Sequence, residues 1–184
     1  MYFNQKNPPT RSNNQADAIL IAASQVIAQD GAGKLTIDAV AKKSGMSKGG
    51  VLYHFPSKDA LLEGLLNALL ARIEERRQVT ETKSKLLGML NTLDLQDESE
   101  RAMSLAILAT AAQKPELLAP ARAYFSQVNE EVTAETKDPE VARILLLALE
   151  GMRFLNMLEL NPWSNAESER ILKRMHQMAD EVSS

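Results

Sequence analysis

The sequence contains no cysteine. That excludes a disulfide scaffold, thiolate-ligated zinc and a cysteine nucleophile, and it fits a reducing, cytoplasmic setting. Aromatic residues make up only 4 % of the 184. No sustained two-residue alternation bounded by turn residues occurs, so the strand signal is nearly absent. Long hydrophobic runs are missing too. The longest, 18–23 and 144–149, hold six residues each, against about 18 for a membrane-spanning helix. Segment 1–14 is polar and Asn-rich, lacks the apolar centre of a secretion signal, and reads as a disordered tail. Histidine is confined to His54 and His176. Neither has a glutamate three residues before it, and there is no HExxH, no GxSxG and no glycine-rich phosphate loop after a strand. The expectation is a protein without catalysis, metal or cofactor.

What is present is a soluble composition, 45 % hydrophobic and 24 % charged, in a chain long enough for one domain or two small ones. Net charge is −3, unevenly spread. Residues 1–63 carry +2 and the remainder −5, a weak pointer to a polyanionic partner near the N-terminus. Helical spacing runs through the chain. Ile19, Ala23, Val26 and Ile27 form one stripe, and Leu61, Leu62, Leu65, Leu66, Leu69 and Ile73 a second. Val141, Ile144, Leu145, Ala148, Met152 and Leu155 form a third, and Ile171, Met175, Met178 and Val182 a fourth. Breaks between stripes follow helix chemistry. Gly31 and Gly33 close the first helix. Thr36, Ser47 and Ser57 cap later ones, and Ser164 with Glu167 makes a capping box. Pro115 and Pro139 stand where a first helical residue belongs, and Asn161-Pro162 ends a helix. The expectation is an all-α protein of about nine helices.

Residues 37–55, IDAVAKKSGMSKGGVLYHF, place two short helices around Gly45 and the capping Ser47. Ala41 is small enough for the helices to cross closely, and Gly45 suits a tight turn of positive φ. Val51, Val40 and Ile37 fill the shared core. This is helix-turn-helix spacing, in which the second helix enters a DNA major groove. Lys42, Lys43, Ser47, Lys48 and Lys58 crowd the same stretch, where lysines neutralise phosphates.

The linked set Thr36-Ile37-Asp38, Ala41, Gly45-Met46-Ser47-Lys48-Gly49, and Leu52-Tyr53-His54-Phe55-Pro56-Ser57-Lys58 before Leu61-Leu62 resembles the DNA-binding domain of the TetR family of bacterial transcriptional regulators. The resemblance is close over residues 15–63 and rests on length, helix content and plan over 64–184. It implies a DNA-binding domain at 15–63 and a ligand-binding and dimerisation domain at 64–184. It also implies that Thr36 holds a phosphate while capping its helix. Ser47 and Lys48 would face DNA, and Gly49 and Gly50 would allow close approach. Tyr53 and Lys58 would reach phosphates. His54 would pack at the end of the recognition helix, with or without a phosphate. One departure is Leu52, where many relatives carry an aromatic residue. Lys48 is then the main candidate for a base contact, to guanine.

The resemblance further implies a cavity in the second domain for a largely apolar small-molecule effector. Candidate wall residues are Leu66, Leu90, Met103, Ile107, Tyr124, Phe125, Met152 and Phe154. Glu150 interrupts an apolar run, where a carboxylate attracts a cationic ligand, meets solvent or meets an arginine. The last two helices would pair with a second copy, and their apolar stripes support this independently. The expected function is a homodimeric repressor that binds palindromic double-stranded operator DNA and is released by its ligand. A regulator without ligand release, one that activates or that needs a co-repressor, fits the same residues; the remaining alternative is a helical small-molecule-binding protein or enzyme without DNA function.

Overall fold

A computed structural model describes residues 11–79, 82, 84–93 and 97–183. Among them the chain is all-α, as its apolar spacing predicts. The helices are α1 (Arg11–Asp30), α2 (Ile37–Ser44), α3 (Lys48–His54), α4 (Lys58–Val79), α5 (Lys85–Leu90), α6 (Glu98–Ala111), α7 (Ala119–Ala134), α8 (Pro139–Met157) and α9 (Asn165–Val182). Tight 3-10 turns occupy Ala32–Lys34 and Pro115–Leu118. Of the N-terminal segment 1–14, residues 1–10 lie outside the described residues, and 11–14 form the first turn of α1.

The chain divides into two compact units. One comprises Met1–Ala68 with Glu98–Leu117, the other Leu69–Asp97 with Leu118–Ser184. Thus α6 groups with the N-terminal helices, and α4 contributes residues to both units.

In the first unit α1 packs on α2 and α6, and α2 packs on α3. Ile19, Ala23, Val26 and Ile27 of α1 are all buried, with Val40 and Ala41 of α2, Val51 of α3 and Leu61, Leu62 and Leu65 of α4. Each large side chain so buried contributes about 1.5–3 kcal/mol. Thr36, Ser47 and Ser57 cap their helices, accepting from the N–H groups of Ala39, Gly50 and Ala60.

In the second unit one apolar core joins Leu86, Met89 and Leu90 of α5, Val128 and Val132 of α7, Leu145, Leu149 and Met152 of α8, and Met175 and Ala179 of α9. Ser84 caps α5, accepting from the Leu87 N–H at 3.3 Å. Asp138 caps α8 ahead of Pro139, and the Ser164–Glu167 capping box is formed. An ion network ties the rim together. Arg77 lies 2.5 Å from Glu74 and 3.2 Å from Glu131, and Lys85 lies 3.6 Å from Glu131. Burial by itself would depress the Arg77 guanidinium, but its bonds to Glu74 and the charge of Glu131 outweigh it and hold its pKa raised.

Two breaks differ from the sequence reading. Pro115 opens a 3-10 turn, and α7 starts at Ala119. Helix α8 stops at Met157, before Asn161-Pro162, where Glu159 takes a left-handed φ of 56°. The Leu160 N–H then reaches the Leu155 carbonyl at 2.9 Å. This glycine-like ending is closed by a residue that gives no sequence signal for it.

Candidate nucleic-acid interface and ligand groove

The turn between α2 and α3 is built on Gly45. Its φ of 71° and ψ of 12° are left-handed, a backbone that glycine adopts without strain. The Met46 N–H donates to the Ala41 carbonyl at 3.1 Å, closing α2 as the chain reverses. Val40 and Val51 are fully buried where the helices cross, beside Ala41.

The opposite face is open. Tyr53 is 82 % exposed, its ring meeting His54 edge-on with centroids 5.1 Å apart. Thr36, Ser47, Lys48, Gly49 and Lys58 are exposed, and Gly50 is half-buried. A Cβ added at Gly49 would meet nothing within 4 Å, so packing within the chain does not require glycine there. Lys48 is paired across the turn with Asp38, its Nζ 3.0 Å from each carboxylate oxygen. Lys43 turns the other way and donates to Gln29 of α1 at 2.7 Å. His54 is half-buried, one ring nitrogen 3.4 Å from Gln15 of α1. Leu52, the departure noted above, is partly exposed at 36 %.

Behind α3, Phe55 lies against Gly64 of α4. A Cβ at Gly64 would fall 2.6 Å from the Phe55 ring and 3.1 Å from Leu20. The absence of a side chain at 64 is what lets the end of the recognition helix seat on α4.

The second unit contains a groove of about 460 Å³ lined by Met89, Phe125, Val128, Asn129, Arg143, Leu146, Leu147 and Glu150. The volume suits a small organic molecule, for which sites run to about 300–1,000 Å³. Its walls are largely apolar, and its polar groups are one amide, one guanidinium and one carboxylate. Burial raises the pKa of Glu150 against the opposing charge of Arg153, 2.5 Å away. Arg153 in turn bonds the Thr92 hydroxyl and, at 3.4 Å, the Met89 carbonyl. Neighbouring Tyr124 has its hydroxyl 4.0 Å from the Met89 sulfur, and burial pushes the phenol up to about 12.

Of the nine candidate ligand residues, Phe125 and Glu150 line this groove. Leu90 and Met152 are buried in the core of the same unit, and Tyr124 packs against it. Phe154 is exposed at 52 %. Leu66, Met103 and Ile107 belong to the first unit, where they are buried. Met89, Val128, Asn129, Arg143, Leu146 and Leu147 are groove residues that the sequence reading did not single out. The usable signal was the i, i+3, i+4, i+7 register of residues 143, 146, 147 and 150 on one helix face.

A glycine-hinged helix pair with its apolar side buried and its lysine- and tyrosine-bearing side open defines the class: a helix-turn-helix DNA-binding protein. Residues 19–65 match the family model for bacterial regulatory proteins of the tetR family, and residues 84–180 match the tetracyclin repressor-like C-terminal domain. The chain belongs to the TetR family. Among curated proteins it is 37 % identical over 82 residues to the nucleoid occlusion factor SlmA of Vibrio atlanticus. That match spans 42 % of this chain and 41 % of that relative's length. Among solved structures, a TetR transcription regulator from Haloarcula marismortui superposes with a TM-score of 0.71 at 24 % identity, covering 93 % of this chain and 99 % of that one. The multidrug binding protein EbrR, solved with ethidium, gives 0.69 at 21 % identity, covering 88 % and 98 %. No helix among the described residues is long and apolar enough to cross a membrane.

Proposed function

We propose that this chain is a cytoplasmic, homodimeric transcriptional repressor that reads palindromic operator DNA and leaves it when a small molecule binds the second unit. The observation that carries the reading is the open face of α2 and α3. Lys48 stands at the start of the second helix, where a major-groove reader meets base edges. Tyr53 and Lys58 flank it with a hydroxyl and an ammonium for phosphates, and the Thr36 and Ser47 caps border the same surface.

Pairing of two copies through α8 and α9 is supported by an apolar stripe left open on α8, whereas the stripe of α9, Ile171, Met175, Met178 and Val182, packs on the core of its own unit and gives no such support. Ile144, Leu147 and Phe154 are 58 %, 74 % and 52 % exposed, with Ala148 and Gly151 open between them. The groove beside Phe125 and Glu150 is the proposed effector site. The overall likeness to EbrR, a protein solved with a bound small molecule, favours a ligand-responsive role. A ligand that prefers a different spacing of the two recognition helices shifts the equilibrium away from DNA.

The test is binding of the purified protein to duplex DNA from upstream of its own gene, in a salt series, with random duplex as control. Operator preference that weakens in Lys48→Ala and Tyr53→Phe is the expected result. Loss of each phosphate contact lowers the salt slope by about 0.9. Binding that equals the random control and is indifferent to Lys48→Ala and Lys58→Ala would overturn the helix-turn-helix reading.

A further inference from the structure

Asp38 is the sole carboxylate in residues 31–58, a stretch holding the five lysines Lys34, Lys42, Lys43, Lys48 and Lys58. It does not stand apart from the proposed DNA face. The turn at Gly45 brings it from the first turn of α2 to Lys48, the first residue of the recognition helix. The Lys48 ammonium sits 3.0 Å from both oxygens of Asp38. The two side chains are 60 % and 71 % exposed, so the pair lies on the open surface. Val40 and Val51 are buried at the helix crossing, and Thr36 and Ser47 cap the helix starts, so the pair is not part of the core or of the caps. Asp38 stands in the first turn of α2, where the helix dipole favours a carboxylate, but on a surface that approaches a polyanion the same charge also opposes phosphates.

We propose that Asp38 is a specificity-determining residue, which withholds Lys48 from indiscriminate phosphates and presents the intact Asp38–Lys48 pair to a G·C base pair. On random DNA, a phosphate that approaches Lys48 also meets the Asp38 carboxylate beside it, whose like charge weakens the contact. At a G·C step both partners are satisfied at once. Guanine O6 and N7 accept from the Lys48 ammonium, and the cytosine amino group donates to Asp38. Lys42 and Lys58 supply nearby positive charge with no carboxylate partner among the described residues, and Lys43 is engaged by Gln29.

This inference rests on the DNA-reading role proposed above, and the experiment separates the two. Wild-type protein first enriches its preferred sites from a random-sequence duplex library. Affinities for an enriched duplex and its scrambled counterpart are then measured across salt for wild type, Asp38→Asn, Lys48→Ala and the double variant, each checked for unchanged thermal melting. Asp38→Asn is expected to bind the scrambled duplex about three- to tenfold tighter, with a salt slope steeper by about 0.9 as Lys48 is freed for a phosphate. The enriched duplex gains less or loses, so the specificity ratio falls, and the gain disappears in the Lys48→Ala background. An Asp38→Asn ratio equal to wild type, or the same gain without Lys48, overturns the role of Asp38 alone. A wild type that enriches no sequence overturns the DNA-reading role itself.

Discussion

Gly49 shows most sharply how a single residue divides stability from function. It stands in the first turn of α3 with ordinary negative φ, and an added Cβ would enter open space. Gly49→Ala should therefore stabilise the free protein by about 0.4–1 kcal/mol, through the smaller entropy of the unfolded chain. In a chain of this size that raises the melting temperature by about 2–4 °C per kcal/mol. The same methyl group would stand on the proposed DNA face, so DNA affinity should fall while stability rises. A calorimetric scan and a DNA titration on one preparation check both signs. Unchanged affinity would remove Gly49 from the interface. Such local features are legible in sequence: Thr36, Ser47 and Gly45 were identified because a cap or a turn depends on immediate neighbours. The Asp38–Lys48 pair was not, because it depends on the angle between two helices.

At the scale of an element, the position of α3 depends on what lies behind it. Phe55 ends the recognition helix and rests on Gly64, where a Cβ would come within 2.6 Å of its ring. Gly64→Ala should push Phe55 aside and tilt α3. Ala favours a helix interior over Gly by about 1 kcal/mol, so the loss of packing is partly offset and the protein should stay folded. DNA affinity should drop at least several-fold although Gly64 packs against Phe55 and Leu20 and is not part of the proposed DNA face. A combined Gly64→Ala/Phe55→Leu variant, which makes room for the methyl group, should recover part of it. Equal affinity for wild type and Gly64→Ala would show that α3 does not depend on this seat. Helix positions were legible from apolar periodicity and caps, with two exceptions of physical origin. Pro115 suits a 3-10 start as well as an α-helical one, and Glu159 closes α8 without glycine. The groove was less legible. Periodicity gave the faces of α7 and α8 but not which neighbouring helix covers each, so the candidates divide between the groove (Phe125, Glu150), buried or partly buried packing positions and, for Phe154, the open surface.

For the whole molecule, the question is what covers α8. Its sequence stripe contains both inward and outward residues: Leu145 and Met152 are buried, while Ile144 is 58 % exposed. Among the described residues, Ile144 and Phe154 are left open on one surface of α8, with Leu147, which also lines the groove, between them, and exposed apolar patches of this kind mark interaction sites. If a second copy covers them, Ile144→Glu places a charge in a self-complementary interface, where two-fold symmetry sets it near its own equivalent. The variant should then halve the mass seen by sedimentation equilibrium. Its helix content should be retained, since residue 144 is exposed and is not one of the core or groove-lining residues. DNA binding should suffer more than the oligomer alone suggests. A dimer engages half-sites about 34 Å apart, and the second contact benefits from tethering that commonly adds about 10²–10⁴ in affinity. Ile144→Glu should lose most of that factor on a palindromic duplex and almost none on a single half-site. A wild type that is monomeric while it saturates the palindrome, or an Ile144→Glu variant that remains dimeric with full affinity, would show that two-fold recognition is built on another surface.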